Sequence, residues 1–400
     1  MTEADSGSVV PTHPGVDIEE LPDGVAPIVG VETSTTAFVG RASEGPVGEP
    51  VAVAGLGEFE QAFGDVRPGF PVTSAVRDFF LNGGRRALVV RLVGSEEDRL
   101  EPADYAGSRE ERTGLYALET AELFNLLCIP PDQRGGDTDP ALYREALEYC
   151  LERRAVLVVD PPASWTGDPE EATRAASSGL SDLGLSGPAA RNAALYFPRA
   201  ITVEEGVTKP VPPSGLVAGV IARTDATRAV WEAPAGREAT LGGIAGLEVE
   251  LTDDQNGELN PLGINCLRTF PQLGVVVWGA RTLAADEGEW KYLPIRRLAL
   301  YVEESLHRGT QWAVFEPNDE PLWSSLRLQV GIFLQGLFRA GAFQGRTPRE
   351  AYFVRCDEST MTQDDIEQGR INIVVGFAPL RPAEFVIIRI QQVAAASEGS

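Results

Sequence analysis

Residues 33–228 alternate short apolar runs with stretches of helical periodicity, and this alternation restricts the fold more than any other feature. The apolar runs at 87–92 and 124–129 are almost uninterrupted, as is typical of strands that are covered on both faces. A helical stretch such as 140–153 lies between one strand and the next. Strands that alternate with helices predict a mostly parallel, helix-covered sheet. We therefore predict an acidic α/β domain over residues 31–255.

The pattern beyond this region indicates a second, α+β domain over residues 256–392. Its expected elements are a strand at 274–279, a helix at 294–306, a strand at 312–315, a helix at 318–343 and a short helix at 362–368. Asn318 is the expected N-cap of the longest helix. Thr362, with Asp365 three positions later, predicts a capping box at the start of the short helix.

The two ends of the chain carry strand-like runs that stand apart from these domains. At the C-terminus, residues 384–392 alternate with period two, and a second run at 371–377 precedes them. At the N-terminus, Val16 and Ile18 alternate with acidic residues in a run bracketed by proline and glycine. We interpret residues 1–30 as an extended arm and 393–400 as a flexible tail. Such runs either pair within one subunit or add strands to the sheets of other copies.

Charge is distributed unevenly along the chain. Of the formal net charge of −25, residues 1–259 carry −23 and residues 260–400 carry −2. An acidic body of this kind repels nucleic acid and anionic membranes. We therefore expect neither as a partner, and we expect protein contacts on the balanced last third.

Segments that direct or anchor a protein to membranes are not evident. No apolar run approaches the roughly 20 residues that span a bilayer, and residues 1–6 lack the basic and apolar parts of a secretion signal. These features predict assembly in the cytoplasm without membrane insertion. Cys128, Cys150, Cys266 and Cys356 are far apart in sequence, which favours buried thiols over a metal or redox site.

Enzymatic motifs are poorly represented, so we predict no catalytic, cofactor-binding or metal site. The two histidines are His13 in the arm and His307 near a helix end, and no Gly-x-Ser-x-Gly turn or phosphate-binding loop is present. The segment 253–258 is acidic, but its spacing does not match a calcium loop, and a polar turn is expected there. An α/β hydrolase is thus the weakest alternative.

An ordered series of short motifs over nearly the whole chain resembles contractile tail sheath proteins of phages and of phage-tail-like injection particles. The motifs lie at 14–16, 31–40, 45–46, 58–59, 63–64, 76–80, 82–84, 260–265, 278–283, 314–319 and 382–386. The resemblance implies a structural subunit that forms stacked hexameric rings around an inner tube. It also implies that the sheath contracts and drives the tube through a target envelope.

The resemblance further implies an outer α/β domain and an inner domain whose sheet is completed by terminal strands of neighbouring subunits. The residues expected to take part in strand exchange are Val16, Ile18, Ile371, Ile373, Val375, Phe385, Val386, Ile387, Ile388 and Ile390. The residues expected to face the tube, on the short helix, are Asp364, Asp365, Glu367 and Arg370.

The partners implied by the resemblance are other copies of the chain, the inner tube protein, and the baseplate and terminal cap proteins. A non-contractile tube or baseplate component is the main alternative. The sequence leaves open whether the particle is released as a virion or as an extracellular device.

Overall fold

A computed structural model describes residues 27–94, 99–204, 206–284, 288–382 and 384. The terminal positions Val16, Ile18, Phe385, Val386, Ile387, Ile388 and Ile390 lie outside the described residues, as does His13.

The strands are β1 (Thr36–Arg41), β2 (Pro50–Val53), β3 (Ala87–Leu92), β4 (Leu126–Cys128), β5 (Val156–Val159), β6 (Ala193–Phe197), β7 (Ala200–Glu204), β8 (Val207–Val211), β9 (Gly246–Leu247), β10 (Ile264–Phe270), β11 (Gly274–Val277), β12 (Tyr352–Arg355) and β13 (Val374–Phe377). The α-helices are α1 (Leu56–Phe63), α2 (Pro71–Leu81), α3 (Pro102–Ala106), α4 (Pro140–Glu152), α5 (Pro169–Gly179), α6 (Ser214–Thr227), α7 (Asp253–Leu259), α8 (Leu293–Gly309), α9 (Glu320–Arg339), α10 (Pro348–Ala351) and α11 (Gln363–Glu367).

The largest sheet among the described residues has eight strands in the order β11-β10-β6-β5-β4-β1-β3-β2. Its inner pairs are parallel, and antiparallel pairs occur only at its two edges, β2 with β3 and β10 with β11. The predicted mostly parallel sheet is thus confirmed. Three further strands form a small antiparallel sheet, β8-β7-β9, which the sequence analysis did not predict.

The large sheet extends beyond the predicted domain. Strands β10 and β11 belong to it, although both lie after residue 255 and were assigned to the second domain. They join it because Leu267, Val275 and Val277 are apolar on the face that packs into the same core as β1. The strand predicted at 274–279 is therefore present, but it is an edge strand of the α/β sheet.

Side chains of the central strands alternate between two cores, one on each face of the sheet. Ala37 and Val39 of β1 lie in the core that also contains α4 and α5 residues, whereas Phe38 lies in the core built with α2 and α6. This alternation is the direct result of the period-two geometry of a strand. Because both faces are covered, every residue of β1 is buried.

Helix α8 joins the sheet to the helical part of the C-terminal region. Leu293 and Leu300 belong to the core on the α2 and α6 face, whereas Leu298 and Val302 pack with α9. On the same helix, the guanidinium of Arg297 donates to both carboxylate oxygens of Asp225, at 2.7 and 2.6 Å, with both side chains buried. The two regions therefore share one helix and a buried ion pair.

Three local predictions in this part of the chain were wrong. The segment 312–315 is not a strand: residues 311–313 form a 3-10 turn, and Phe315 has a left-handed φ of 77°. The N-cap of α9 is Asp319, because the Asn318 amide instead accepts a hydrogen bond from Trp323 Nε1 at 2.7 Å. The acidic segment 253–258 lies in helix α7, which begins with a Thr252–Gln255 capping box.

The close approach of α2 and α6 depends on small residues in α6. A Cβ atom built on Gly219 would lie 2.5 Å from the carbonyl oxygen of Phe79 and 2.7 Å from the Cβ of Asn82. Main-chain atoms cannot move aside as a flexible side chain can. The glycine is thus required by packing, despite the cost of glycine in a helix.

We predict that Gly219→Ala lowers the free energy of unfolding by about 1–3 kcal/mol, because overpacking outweighs the helix propensity of alanine. The matched control is Gly331→Ala in α9, where a Cβ would meet nothing within 4 Å. That control should be neutral or stabilising by up to about 1 kcal/mol. Urea unfolding followed by circular dichroism measures both, and equal effects would contradict the packing explanation.

Candidate assembly interface

A two-stranded antiparallel sheet covers α9 and forms the centre of the candidate interface. In β12 and β13, Tyr352 is opposite Phe377 and Arg355 is opposite Val374. One face packs against α9, where the Tyr352 hydroxyl also donates to Gln335 Oε1 at 2.8 Å. The other face leaves Phe353 and Val374 exposed, at 47% and 44%.

The edges of this sheet have few main-chain partners among the described residues, where the chain just after β13 forms a bridge between Phe343 and Pro379. Within the part of the chain that the structure describes, β12 and β13 each have one strand neighbour, which is the other. Main-chain groups along the outer edge of each strand therefore lack a strand partner among those residues. An unpaired edge of this kind is a template for pairing with another chain.

The sequence-predicted strand at 371–377 is shorter in the structure, since β13 begins at Val374. Ile371 packs with the cluster that contains Leu322, and Ile373 contacts that cluster and the α9 core. Val375 also packs against the α9 core. These three side chains thus contribute to the interior of their own subunit, and any strand exchange here would involve the main chain. Their role in exchange stays a prediction.

The four residues expected to face the tube lie together on and just after α11. Arg370 donates from Nε to Asp365 at 2.9 Å and from Nη2 to Asp364 at 3.0 Å. Glu367 accepts from Gln363 at 3.2 Å. Three carboxylates and one guanidinium therefore form one exposed, net acidic surface.

Asp365 has a structural role within this surface. Its carboxylate accepts hydrogen bonds from the main-chain nitrogen and the hydroxyl of Thr362, at 3.0 and 2.6 Å, which confirms the predicted capping box. These bonds, together with the one from Arg370, lower the pKa of Asp365 to about 2. The helix is held to α9 by Asn318, whose amide donates to the Arg370 carbonyl at 3.2 Å.

One contact of this region was missed by the sequence analysis. Arg281, which follows β11, forms an ion pair with Glu384, the last described residue. The only sequence signal was that both residues lie in motifs that carry the family resemblance. Their contact joins positions 103 residues apart, and no local pattern indicates it.

The carboxyl edge of the large sheet, where open α/β proteins bind ligands, carries a buried ion pair beside a cavity of about 600 Å³. The strand order reverses between β1 and β4. At that point, Arg41 donates to both carboxylate oxygens of Asp132, at 2.6 and 3.0 Å, and Tyr105 donates to Oδ1 at 3.2 Å. The Arg41 side chain is 1% exposed. Tyr105 and Asp132 also line the cavity, so the ion pair does not close this edge of the sheet.

In the described ranges, no group of three or more His, Cys, Asp or Glu side chains is arranged to hold a metal ion. No helix in the same ranges is both long and apolar enough to cross a bilayer. The four cysteines are buried free thiols, as predicted. His307 lies in the last turn of α8.

Comparison with known proteins gives consistent matches over the chain. The phage tail sheath central domain matches residues 103–283, and the phage tail sheath C-terminal domain matches residues 286–393. The helical sheath of the anti-feeding prophage in its contracted state is 30% identical with a TM-score of 0.74, and the match covers 96% of this chain and 100% of that one. The chain belongs to the phage tail sheath family.

Two further relatives extend this comparison. The sheath complex of PVC, an extracellular contractile injection system in its contracted state, is 28% identical with a TM-score of 0.73, over 96% of this chain and 99% of that one. The tail sheath protein of Vibrio phage KVP40 is 25% identical over 179 residues, which are 44% of this chain and 26% of the phage protein. The chain thus spans about a quarter of the length of the curated phage relatives it matches.

The boundary between the two family domains agrees with the observed sheet. The central domain match ends at residue 283, after β11, and the C-terminal match begins at residue 286, before α8. In this sheath protein, β12, β13 and α11 all belong to the C-terminal match. The candidate interface is therefore a feature of the sheath C-terminal domain.

A buried carboxylate at the end of β5 adds a pH-dependent element to the sheath body. Asp160 accepts hydrogen bonds at 2.7 Å from both the main-chain nitrogen and the hydroxyl of Ser214, at the start of α6. Burial is the largest influence and raises the pKa of Asp160 from 3.8 to about 6, although the bonds from Ser214 oppose it. The folded chain therefore binds this proton more tightly than the unfolded chain does.

We predict that the free energy of unfolding falls by up to about 3 kcal/mol as pH rises from about 4 to about 6. The cause is that Asp160 loses its proton at a lower pH in the unfolded chain than in the folded chain. Below about pH 4 both states are protonated and this cost is absent. Asp160→Asn keeps the shape of the side chain and removes the titration. Urea unfolding at a series of pH values should show the wild-type chain losing stability relative to the variant across this window. A difference independent of pH would contradict the assignment.

Proposed function

We propose that this chain polymerises as stacked six-subunit rings around an inner tube, and that the polymer shortens to drive the tube through a target envelope. The observation that carries this proposal is the open-edged β12–β13 pair, which lies close in sequence to a strand-like terminal run. The match over the full length of a sheath solved in a contracted state supports it.

Strand exchange between copies is the connection that this geometry favours. One face of the β12–β13 pair is already covered by α9, and added strands would provide partners for its outer edges. Each added main-chain hydrogen bond contributes only about 0.5–1.5 kcal/mol. Two exchanged strands per subunit, one from residues 1–30 and one from 385–392, repeat that contribution throughout the polymer.

Contraction in this proposal involves no covalent chemistry. The exchanged strands keep the rings connected, while the α/β bodies replace one set of lateral contacts by a larger one. The driving free energy is the difference in burial and packing between the two arrangements.

We infer that the C-terminal domain, from α8 onward, lies next to the tube and that the acidic α/β body faces outward. The balanced charge of the last third of the chain supports this orientation, because surfaces that meet other proteins carry fewer unpaired charges. The further partners in the proposal are the inner tube protein, the baseplate and the terminal cap.

We predict that deletion of residues 385–400 gives a folded chain that does not polymerise, because one exchanged strand is lost. Deletion of residues 393–400 alone is the matched control, and it should assemble normally because the strand run at 384–392 is intact. Circular dichroism checks folding and electron microscopy checks assembly. Filaments formed by the longer deletion would refute strand exchange at this end.

We also predict that Asp364→Lys combined with Glu367→Lys weakens binding of the inner tube. Both side chains are exposed on α11, and neither is part of the Thr362–Asp365 capping box. Each exposed charge contributes about 0.2–1 kcal/mol per contact, and the effect repeats along the sheath. The measurement is the amount of tube protein that sediments with the sheath. Glu258→Lys on the exposed surface of α7 is the control, and an equal loss in that variant would argue against a specific tube contact.

A further inference from the structure

Two motifs that are distant in sequence meet in a bidentate ion pair. The guanidinium of Arg281 donates from Nε to Glu384 Oε1 at 2.8 Å and from Nη2 to Glu384 Oε2 at 2.5 Å. The Arg281 side chain is 5% exposed and the Glu384 side chain 18% exposed. Parallel donation to both carboxylate oxygens fixes the relative orientation of the two groups as well as their distance.

Arg281 is itself held rigidly by the α/β body. Its third guanidinium nitrogen, Nη1, donates to the carbonyl of Asn260 at 2.8 Å. Its main-chain nitrogen donates to Asn265 Oδ1 at 2.7 Å, and its carbonyl accepts from Asn265 Nδ2 at 2.8 Å. Asn265 lies in β10 and is fully buried. The guanidinium is therefore held in position at the end of the large sheet by contacts that do not involve Glu384.

The position of Glu384 along the chain indicates that this contact holds the start of the terminal run. Residue 384 is the first residue of the strand-like run at 384–392, and it lies seven residues after β13 ends at Phe377. Pro379 and Pro382 stiffen the connection, since proline fixes its own φ. β13 packs on α9, whereas Arg281 belongs to the sheet of the α/β body. The terminal run thus starts from a different part of the subunit than the strand that precedes it.

A buried ion pair is a poor source of net stability, because the two charges lose their hydration. Such a pair is better suited to fixing one geometry, since any other position of Glu384 would leave a buried guanidinium without its carboxylate. Fixing one end of a segment raises its effective concentration at a binding site within reach. It also reduces the entropy that the segment loses on binding.

We propose that Arg281 and Glu384 form the anchor of the C-terminal arm. The anchor sets the point and direction from which residues 385–392 leave the α/β body, so that the arm is presented to an adjoining copy of the chain. Arg281 and Glu384 are positioning residues in this scheme and do not themselves cross the interface. The inference rests on the strand exchange proposed above.

The test is assembly of Glu384→Gln, which keeps the shape of the side chain and removes its charge. We expect the wild-type far-ultraviolet circular dichroism spectrum and a critical concentration for polymerisation at least tenfold above that of wild type. Glu384→Asp keeps the charge but is one methylene shorter, and it should give an intermediate increase. The control is Asp253→Asn, which removes the partner of another guanidinium, that of Arg268, on the same sheet. It should assemble at the wild-type concentration.

The outcomes separate the anchor from strand exchange itself. If deletion of 385–400 prevents assembly but Glu384→Gln polymerises at the wild-type concentration, the anchor proposal is wrong and strand exchange stands. If the chain that lacks residues 385–400 still polymerises, the strand-exchange proposal is refuted, whatever Glu384→Gln does. An equal increase in critical concentration for Asp253→Asn would also overturn the anchor, because loss of any ion pair of the sheet would then have the same effect.

Discussion

Pairing of main-chain groups is the constraint on which the arrangement of this protein depends. In the large sheet, the inner strands are paired on both sides and covered on both faces, so their hydrogen bonds and side chains are used within the subunit. The β12–β13 pair is the opposite case. It has one packed face and two outer edges without strand neighbours among the described residues. The two sheets thus differ in how many of their strands have partners on both sides, and the strand exchange proposed above would supply partners to the second.

Sequence reasoning succeeded where local pattern determines structure. The α/β sheet was predictable because strands buried on both faces have apolar runs that alternate with helices, and the α11 capping box depends on Thr362 and Asp365 alone. Val314 and Phe315 were assigned to a strand because both are apolar, but they are exposed in a turn. β10 and β11 were assigned to the wrong region, because sheet membership depends on contacts with β6, about seventy positions earlier. The Arg281–Glu384 pair could not be predicted for the same reason.

The α/β body illustrates how a fold that often binds ligands can serve as a rigid block. Its switch point holds an internal ion pair, and the carboxyl end of β5 holds Asp160 against the start of α6. Both groups sit where catalytic side chains are found in other α/β proteins. Here their hydrogen bonds connect loops and helices of the same body. Family membership and the β12–β13 pair are the observations that support the mechanical role proposed above.

The burial of the four cysteines has a consequence for a polymer of this chain. Cys128, Cys150, Cys266 and Cys356 all lie in the interior, and burial raises the pKa of each thiol. Thiol oxidation requires an accessible thiolate. Disulfide formation between copies of the folded chain is therefore disfavoured, in oxidising as well as in reducing surroundings.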